Sequence, residues 1–249
     1  TNAFSWGSVL NAAEDDVNST VSVTTSGIED AQVMTIALNG KSYTNTVTNN
    51  STIIIISASD LQDLTDGQSY TITANVSDAA GNAATAITSS PFTVDKLCLI
   101  NAIGTSAFSW GALLNPVEDD NNGTVTVTTS GVEDGQTMTV AMNGKSYTNT
   151  VTSTKSIVTR PAADLQDLVD GQSYTVTASV SDTNGNSSQI TSSLFPVDRT
   201  APALGAIATS ALSWGEKLNP TEDDSNGTVT VTTSGVEDGQ TLTLTLDGN

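Results

Sequence analysis

Apolar and polar residues alternate along most of the middle of this chain. An alternation with a period of two is typical of β-strands that turn one face toward a core and the other toward water. The pattern predicts seven strands in the middle third: one that approaches Trp110, followed by 124–128, 138–142, 146–152, 157–160, 174–180 and 189–197. Between the third and fourth strands, Asn143-Gly144 can adopt the positive φ angles of a two-residue hairpin turn.

Two further features belong to this pattern. Between the fifth and sixth strands, the segment 165–168 predicts a short helical turn that ends at Asp170-Gly171. Tyr174 then opens the sixth strand, where we expect its hydroxyl to bond back to the chain just before it, as in a tyrosine corner. Tyr70 repeats this feature. Trp110 is predicted to anchor the core rather than to stack on a ligand.

A sequence repeat extends through the whole chain. Trp6, Trp110 and Trp214 stand at an interval of 104 residues, each within Ser-Trp-Gly. Flanking segments recur at the same interval, such as 63–70 with 167–174 and 131–136 with 235–240. A period near 100 residues is too long for a solenoid unit and matches one autonomous β-sandwich domain.

The predicted fold class is therefore all-β, with tandem immunoglobulin-like, seven-stranded β-sandwich domains arranged end to end. Repeat 1 spans residues 1–95 and lacks its first few residues, repeat 2 spans 96–198 and is complete, and repeat 3 spans 199–249 with strands A to C only. Either a longer array continues repeat 3, or another chain completes it.

Charge and residue inventory limit the function. The chain has 27 acidic and 7 basic residues, a net charge of −20, which repels nucleic acid and anionic lipid and favours cations as partners. It has no His and one Cys, Cys98, which excludes a Ser-His-Asp triad, a Cys-His pair and an internal disulfide. No signal peptide and no apolar run of membrane-spanning length are present. We expect neither an enzyme nor direct membrane insertion.

Acidic loops are predicted to meet where consecutive repeats join. Because antiparallel strands reverse direction, the A–B and E–F loops fall at one end of a sandwich and the B–C and F–G loops at the other. The first junction would bring together Glu14, Asp15, Asp16, Asp66 and Asp95 of repeat 1 with Glu133, Asp134 and Asp182 of repeat 2. The second would bring together Glu118, Asp119, Asp120, Asp170 and Asp198 of repeat 2 with Glu237 and Asp238 of repeat 3.

So many carboxylates at close range repel one another unless a cation lies between them. Calcium is the best candidate, because Ca²⁺ takes six to eight oxygen ligands and extracellular modules bind it at about 10⁻⁴ to 10⁻³ M. All the acidic residues just named are thus candidate calcium ligands. The alternative is that these side chains are solvated and only keep a surface protein soluble.

Several motifs are similar to one known family. They are Glu118-Asp119-Asp120 before 123–127, Asp164-Leu165-Gln166-Asp167-Leu168 with 170–174, the loop 181–186 and the linker 197–202. On these motifs the chain resembles, over essentially all 249 residues, the bacterial immunoglobulin-like repeats of giant biofilm and host-cell adhesins exported by type I secretion.

The resemblance implies an extender region. Such a region projects a terminal binding module from the outer membrane and stiffens when calcium binds at its linkers. In that family the linker Asp helps to hold the ion, which would correspond to Asp95 and Asp198. The first linker departs from the pattern, because Asp95-Lys96-Leu97-Cys98 replaces the Thr-Ala-Pro run and is one residue shorter.

We therefore expect a structural stalk segment of an extracellular, cell-surface adhesin, whose partners are calcium and the neighbouring repeats. One alternative is that the repeats themselves bind a glycan or receptor through their loops. Against it, the aromatic residues that recur between repeats fall in strands or at strand edges. Another alternative is a subunit of a self-assembling extracellular fibre, in which repeat 3 accepts a strand from a neighbouring copy.

Overall fold

The computed structural model describes residues 3–246, which form two β-sandwiches and part of a third. In repeat 1 the elements are β1 (Val9–Leu10), α1 (Ala12–Asp15), β2 (Ser19–Thr24), β3 (Val33–Leu38), β4 (Lys41–Thr46), β5 (Ser51–Ile56), α2 (Ala58–Gln62), β6 (Ser69–Tyr70), β7 (Thr73–Asn75), β8 (Ile87–Thr88) and β9 (Phe92–Val94). Within this described part, no helix is long and apolar enough to cross a membrane.

From its first α-helix onward, repeat 2 has the same order of elements as repeat 1. Its elements are β10 (Leu99–Ile100), a 3-10 turn (Thr105–Ala107), α3 (Pro116–Asp119), β11 (Gly123–Ser130), β12 (Thr137–Met142), β13 (Lys145–Thr150), β14 (Lys155–Arg160), α4 (Ala162–Gln166), β15 (Ser173–Tyr174), β16 (Thr177–Ser181), β17 (Ser187–Thr191) and β18 (Phe195–Pro196). Phe108 forms a single bridge to Val125, as Phe4 does to Val21 in repeat 1.

Each sandwich consists of two sheets around one core. In repeat 2 one sheet has the order β10-β11-β14 and the other β13-β12-β16-β17, and repeat 1 has the matching sheets β2-β5 and β4-β3-β7-β8. The first and last strands also meet: β1 pairs with β9 in parallel, and Leu114 forms the equivalent parallel bridge to Val197. The predicted all-β, immunoglobulin-like fold is confirmed.

A tryptophan lies at the centre of each core. Trp110 is buried and stacks on Phe108 with ring centroids 5.0 Å apart, while Phe195 meets both rings at an angle. Trp6, Phe4 and Phe92 repeat the arrangement in the first sandwich. The predicted core role of Trp110 is thus confirmed, and the two cores share no residue.

The predicted hairpin turn and tyrosine corner are also confirmed. Asn143 and Gly144 have φ angles of 48° and 74°, as the turn between β12 and β13 requires. The hydroxyl of Tyr174 accepts a hydrogen bond from the Val169 amide at 2.9 Å, five residues earlier in the chain. The Tyr70 hydroxyl accepts the equivalent bond from Thr65 at 3.0 Å.

Two predicted strands are interrupted. The sixth, predicted at 174–180, is divided into β15 and β16, and the seventh, predicted at 189–197, into β17 and β18. At the interruption the Ser192 hydroxyl, not a backbone carbonyl, accepts the Val176 amide at 2.9 Å, so the ladder between these strands breaks there. Ser89 accepts the Ile72 amide in the same way in repeat 1, which makes the break a feature of the repeat.

The helical turns differ from prediction. The turn expected at 165–168 is α4, which begins at Ala162 directly after its N-cap Pro161 and ends at Gln166. Helices α1 and α3 in the A–B loop were not predicted. Their signal is an Asn followed three residues later by Glu, a capping box.

Repeat 3 forms less structure. Strand β19 (Ala203–Leu204) pairs with β20 (Thr233–Ser234), and Leu212 bridges to Val229. The third strand expected here forms no ladder in the described residues 241–246.

Gly123→Ala should destabilise repeat 2. A Cβ at residue 123 would lie 2.6 Å from a ring carbon of Trp110 and 2.9 Å from a methyl of Leu165, and such overpacking costs about 1–3 kcal/mol. Gly104→Ala is the matched control, because its nearest atom would be 3.9 Å away and its effect should stay within about 0.5 kcal/mol. Urea unfolding, assigned to repeat 2 by hydrogen exchange, measures both; equal effects would contradict the packing account.

Candidate functional site at the repeat junctions

The A–B helices fix the first acidic residue of each cluster. Asn11 and Asn115 cap α1 and α3, and the carboxylates of Glu14 and Glu118 bond back to the amides of these caps at 3.0 and 3.1 Å. Each capping box satisfies backbone donors that the short helix would otherwise leave unpaired. Glu14 and Glu118 thus have a local structural role.

The next acidic residue is buried in both repeats. The side chains of Asp15 and Asp119 are only 7% and 5% exposed. Each pairs with the basic residue that follows the linker aspartate, which we call the linker base: Lys96 Nζ lies 3.0 Å from Asp15 Oδ2, and Arg199 Nε lies 2.5 Å from Asp119 Oδ2. The ion pairs occupy equivalent places.

Backbone carbonyls complete the surroundings of each linker base. Lys96 Nζ donates to the carbonyl oxygens of Gln62 and Leu64 at 3.1 and 2.9 Å. Arg199 donates to the carbonyls of Leu165, at 2.7 Å, and Leu168. These carbonyls lie at, or within two residues of, the C-terminal ends of α2 and α4, where the helix dipole attracts positive charge.

Asp66 and Asp170 hold the linker backbone. Asp66 accepts the Lys96 amide at 2.6 Å, and Asp170 accepts the Arg199 amide at 2.7 Å and the Thr200 hydroxyl at 2.8 Å. The bond from the Arg199 amide, followed by that from Thr200, lowers the pKa of Asp170 below its ordinary value of 3.8. Both linkers therefore leave their sandwich along a fixed path.

The third residue of each A–B cluster faces solvent. Asp16 accepts the side-chain amide of Gln62 at 2.8 Å, and Asp120 accepts that of Gln166 at 3.0 Å. Each bond connects the A–B loop to the helix of the E–F connection in the same repeat, which is α2 in repeat 1 and α4 in repeat 2. These two carboxylates are held within their own repeats.

Asp182 organises the F–G loop of repeat 2. Its buried carboxylate accepts the amides of Asn184 and Asn186, both at 2.9 Å, and the Asn186 side chain at 2.6 Å. In repeat 1, Asp78 binds Asn82 in the same way. Asp182 therefore shapes the loop from inside.

This F–G loop contacts repeat 1 directly. Asn11 donates to the Asn184 carbonyl at 2.9 Å, and the Ala12 amide donates to Asn186 Oδ1 at 2.8 Å. The side chains of Asn184 and Asn186 donate in turn to the carboxylate and the carbonyl of Asp95 at 2.5 and 2.9 Å. These four hydrogen bonds join the F–G loop of repeat 2 to repeat 1 at the first junction.

The acidic residues of the B–C loop bind within repeat 2. Glu133 accepts the Thr183 hydroxyl at 2.8 Å and the Thr183 amide at 3.1 Å, and the hydroxyl bond lowers the pKa of Glu133. Asp134 accepts the Ser153 amide at 2.7 Å. Neither carboxylate contacts an acidic residue of repeat 1 in these bonds.

The second junction is more open. Asp198 accepts the Thr200 amide at 3.0 Å, and Glu237 and Asp238 of repeat 3 are exposed. A cleft of about 270 Å³ separates the two sides and is lined by Asp198, Thr200, Gly235, Val236 and Glu237. Acidic groups from both repeats border this cleft, but they are not drawn into one cluster.

This arrangement bears directly on calcium binding. In residues 3–246 no three acidic, His or Cys side chains gather as a metal site would require. At the first junction the carboxylates are bonded to separate protein donors, and an ammonium group lies against the most buried one. As arranged, these residues do not fit a calcium cage, and the individual ligand assignments stay predictions.

The residues that form the junction contacts were not predicted. Lys96, Arg199, Asn184 and Asn186 stand within the motifs named above, but no contact was expected for any of them. The available signal was the basic residue directly after the linker aspartate in both linkers, Asp95-Lys96 and Asp198-Arg199. A basic residue that recurs at the same place in a chain with a large acidic excess indicates an ion pair with a carboxylate.

No family model matches the chain, and no curated protein matches it. Solved structures do match. A Ca²⁺-stabilized adhesin that helps an Antarctic bacterium reach out and bind ice is 29% identical over 84% of this chain and 52% of that chain, with a TM-score of 0.47. A 1.5-MDa bacterial ice-binding adhesin is 28% identical over 77% of this chain and 61% of that chain, with a TM-score of 0.47.

A third match is a single domain. The bacterial immunoglobulin-like domain from the M. primoryensis ice-binding adhesin is 36% identical over 38% of this chain and 92% of that domain, with a TM-score of 0.30. The sequence identity thus extends over nearly a whole repeat unit. The chain spans 52% and 61% of the two longer structures.

Asn186→Ala should loosen the first junction. It removes the bonds to Ala12 and to the Asp95 carbonyl, while Asn82→Ala removes only the local bond to the loop aspartate. Spin labels at Ser42→Cys and Ser146→Cys, equivalent exposed positions on β4 and β13, report the separation of the repeats in a Cys98→Ser background. The distance distribution should broaden for Asn186→Ala alone; broadening with both variants would contradict the contact.

Thr200→Val should raise the pKa of Asp170 part of the way back toward 3.8, because the larger effect, the Arg199 amide, remains. A carboxylate with a depressed pKa stabilises the fold above its unfolded pKa and loses this effect as the pH falls through the folded pKa. The variant should therefore be less stable than wild type at neutral pH and equal to it in strong acid. Carboxyl NMR titration measures the shift.

Thr183→Val is the reciprocal control for this titration. It should raise the pKa of Glu133 and leave that of Asp170 unchanged, because Thr183 bonds only to the former. If both valine variants moved the pKa of Asp170, the change would not be specific to the Thr200 bond, and the account would be contradicted.

Proposed function

The chain belongs to the bacterial immunoglobulin-like repeats of large adhesins, and from that premise we propose that it is a structural extender, a stalk segment that holds a distal binding module away from a bacterial cell surface. In this proposal the segment supplies length and direction rather than a chemical reaction. We propose an extracellular location for the same reason.

One observation carries this proposal: the four hydrogen bonds that join the F–G loop of repeat 2 to repeat 1. A flexible tether between independent domains would need no such bonds, because linkers rich in small residues act as random coils. A stalk requires neighbouring domains to keep a defined separation. The bonded linker and F–G loop supply that constraint.

Binding of glycan by the repeats themselves is less well supported. Within residues 3–246 every Trp, Tyr and Phe side chain is buried or half-buried, whereas sugar-binding surfaces use exposed aromatic rings. The recurring aromatic residues serve the cores and the tyrosine corners. An enzyme is likewise unsupported, since the matched structures are adhesin and immunoglobulin-like domains.

A fibre subunit is the second candidate, and exposed leucines of repeat 3 favour it. Leu242, Leu244 and Leu246 are 45%, 49% and 77% exposed, although this segment alternates like a core strand. A strand donated by another copy would cover them. Light scattering that shows concentration-dependent oligomers would favour the fibre, and a monomer would favour the stalk.

Calcium stiffening of the junctions stays a proposal. The net charge of −20 and the likeness to a Ca²⁺-stabilized adhesin support it. The contacts of the first junction do not, because protein donors already engage its carboxylates. The second junction, with exposed Glu237 and Asp238 beside an open cleft, is the better place for an ion.

Small-angle scattering on residues 1–249 tests the stalk proposal. An elongated particle is expected, measured first with about 5 mM calcium, above the range of extracellular sites, and then with excess chelator. If chelation shortens or loosens the particle, calcium contributes to stiffness. If the particle is compact in both solutions, the repeats are not an extender.

A further inference from the structure

Each linker base lies where the sequence would place a metal ion. Its polar partners are oxygen atoms: one buried carboxylate and two backbone carbonyls at or just beyond the end of a helix. Oxygen donors of these kinds also bind Ca²⁺. We infer that Lys96 and Arg199 act as built-in cations in place of a metal ion, so that the first junction keeps its geometry without calcium.

Burial explains why a cation is needed at these places. An unpaired carboxylate that is shielded from water is strongly unfavourable, so a buried acid is paired, protonated or bound to a metal. The side chain of Asp15 is 7% exposed, and the Lys96 side chain that pairs with it is 20% exposed. The pair therefore satisfies the requirement within the protein.

The two repeats use chemically different bases for the same task. Lys96 and Arg199 both follow the linker aspartate, and both contact the buried acid of their own A–B helix, Asp15 or Asp119. Lysine donates from one nitrogen and arginine from a planar fork, so the shared feature is the positive charge and its position. A specific hydrogen-bond geometry would not survive this exchange.

A linker base and a calcium ion exclude one another here. The ammonium of Lys96 already contacts Asp15 and the carbonyls of Gln62 and Leu64. A divalent ion bound to the same oxygens would lie next to the lysine ammonium. Like charges this close together repel strongly where bulk water is excluded. Removing the lysine charge should therefore expose a vacant cation pocket.

The ion pair also positions the junction. Lys96 is tied to repeat 1 through both its side chain and its amide, which Asp66 accepts. Its neighbour Asp95 presents a carboxylate and a carbonyl to Asn184 and Asn186 of repeat 2. Loss of the Lys96 side chain would free the linker and, with it, the surface that the F–G loop binds.

The test uses the spin-label pair on β4 and β13 in the full chain. Because one label lies in repeat 1 and the other in repeat 2, the measured distance does not include repeat 3. Wild type should give one narrow distribution with calcium and with chelator alike. Lys96→Met should lose the narrow distribution in chelator and regain it when calcium is added. Lys96→Arg should behave as wild type, because Arg199 already fills this role at the second linker.

Lys41→Met is the matched control, because it removes an equal charge from repeat 1 at an exposed pair with Asp60 and Asp63. It should leave the distribution narrow in both solutions. The double variant Lys96→Met with Asp15→Asn removes both buried charges, which protects folding if the single variant unfolds, and it should stay broad in both solutions.

The inference rests on the proposed stalk function only in treating the junction as its working part, and the two can fail separately. A wild-type distribution that is narrow only with calcium would overturn the built-in cation and leave the stalk intact. So would a Lys96→Met result identical to Lys41→Met. A wild type that is broad in both solutions would contradict the stalk itself.

Discussion

A buried carboxylate at the end of each sandwich constrains everything that follows it in the chain. Asp15 and Asp119 are shielded from water, and removing one partner of such a pair typically costs about 3–5 kcal/mol. The partner is supplied by the linker, after the last strand of the same domain. The same ion pair therefore completes one repeat and positions the next, because the residue that neutralises the buried acid also begins the linker.

The alternation of residues was enough to predict the strands β11 to β14, their hairpin turn and the buried tryptophan, because these depend on local pattern. The prediction of continuous strands failed where a side chain replaces a backbone hydrogen-bond partner, as at Ser192, where two predicted strands are divided. It also failed for the ion pairs. Arg199 and Asp119 are 80 residues apart in the chain, and only the folded topology brings them together.

The acidic loops show the same limit. Loop positions followed from strand reversal, but a position at one end of a domain does not decide which donor a carboxylate meets. Asp182 turns inward to shape its own loop, and Glu133 bonds to Thr183 beside it. Repeats also differ: Pro116 stands where Ala12 donates its amide, and a proline has no amide hydrogen to donate. The second junction therefore cannot copy that contact of the first.

The parallel pairing of first and last strands has a mechanical meaning. In repeat 1 the amides of Thr93 and Asp95 donate to Ser8 and Leu10, and in repeat 2 Leu114 exchanges two bonds with Pro196 and Asp198. A pull on the two ends of a repeat would slide these parallel segments past each other and load their hydrogen bonds together, in shear. Antiparallel hairpins pulled at their open end give way one bond at a time. The hydrogen bonds between these parallel segments therefore resist force along the direction in which flow or a moving surface would pull each repeat.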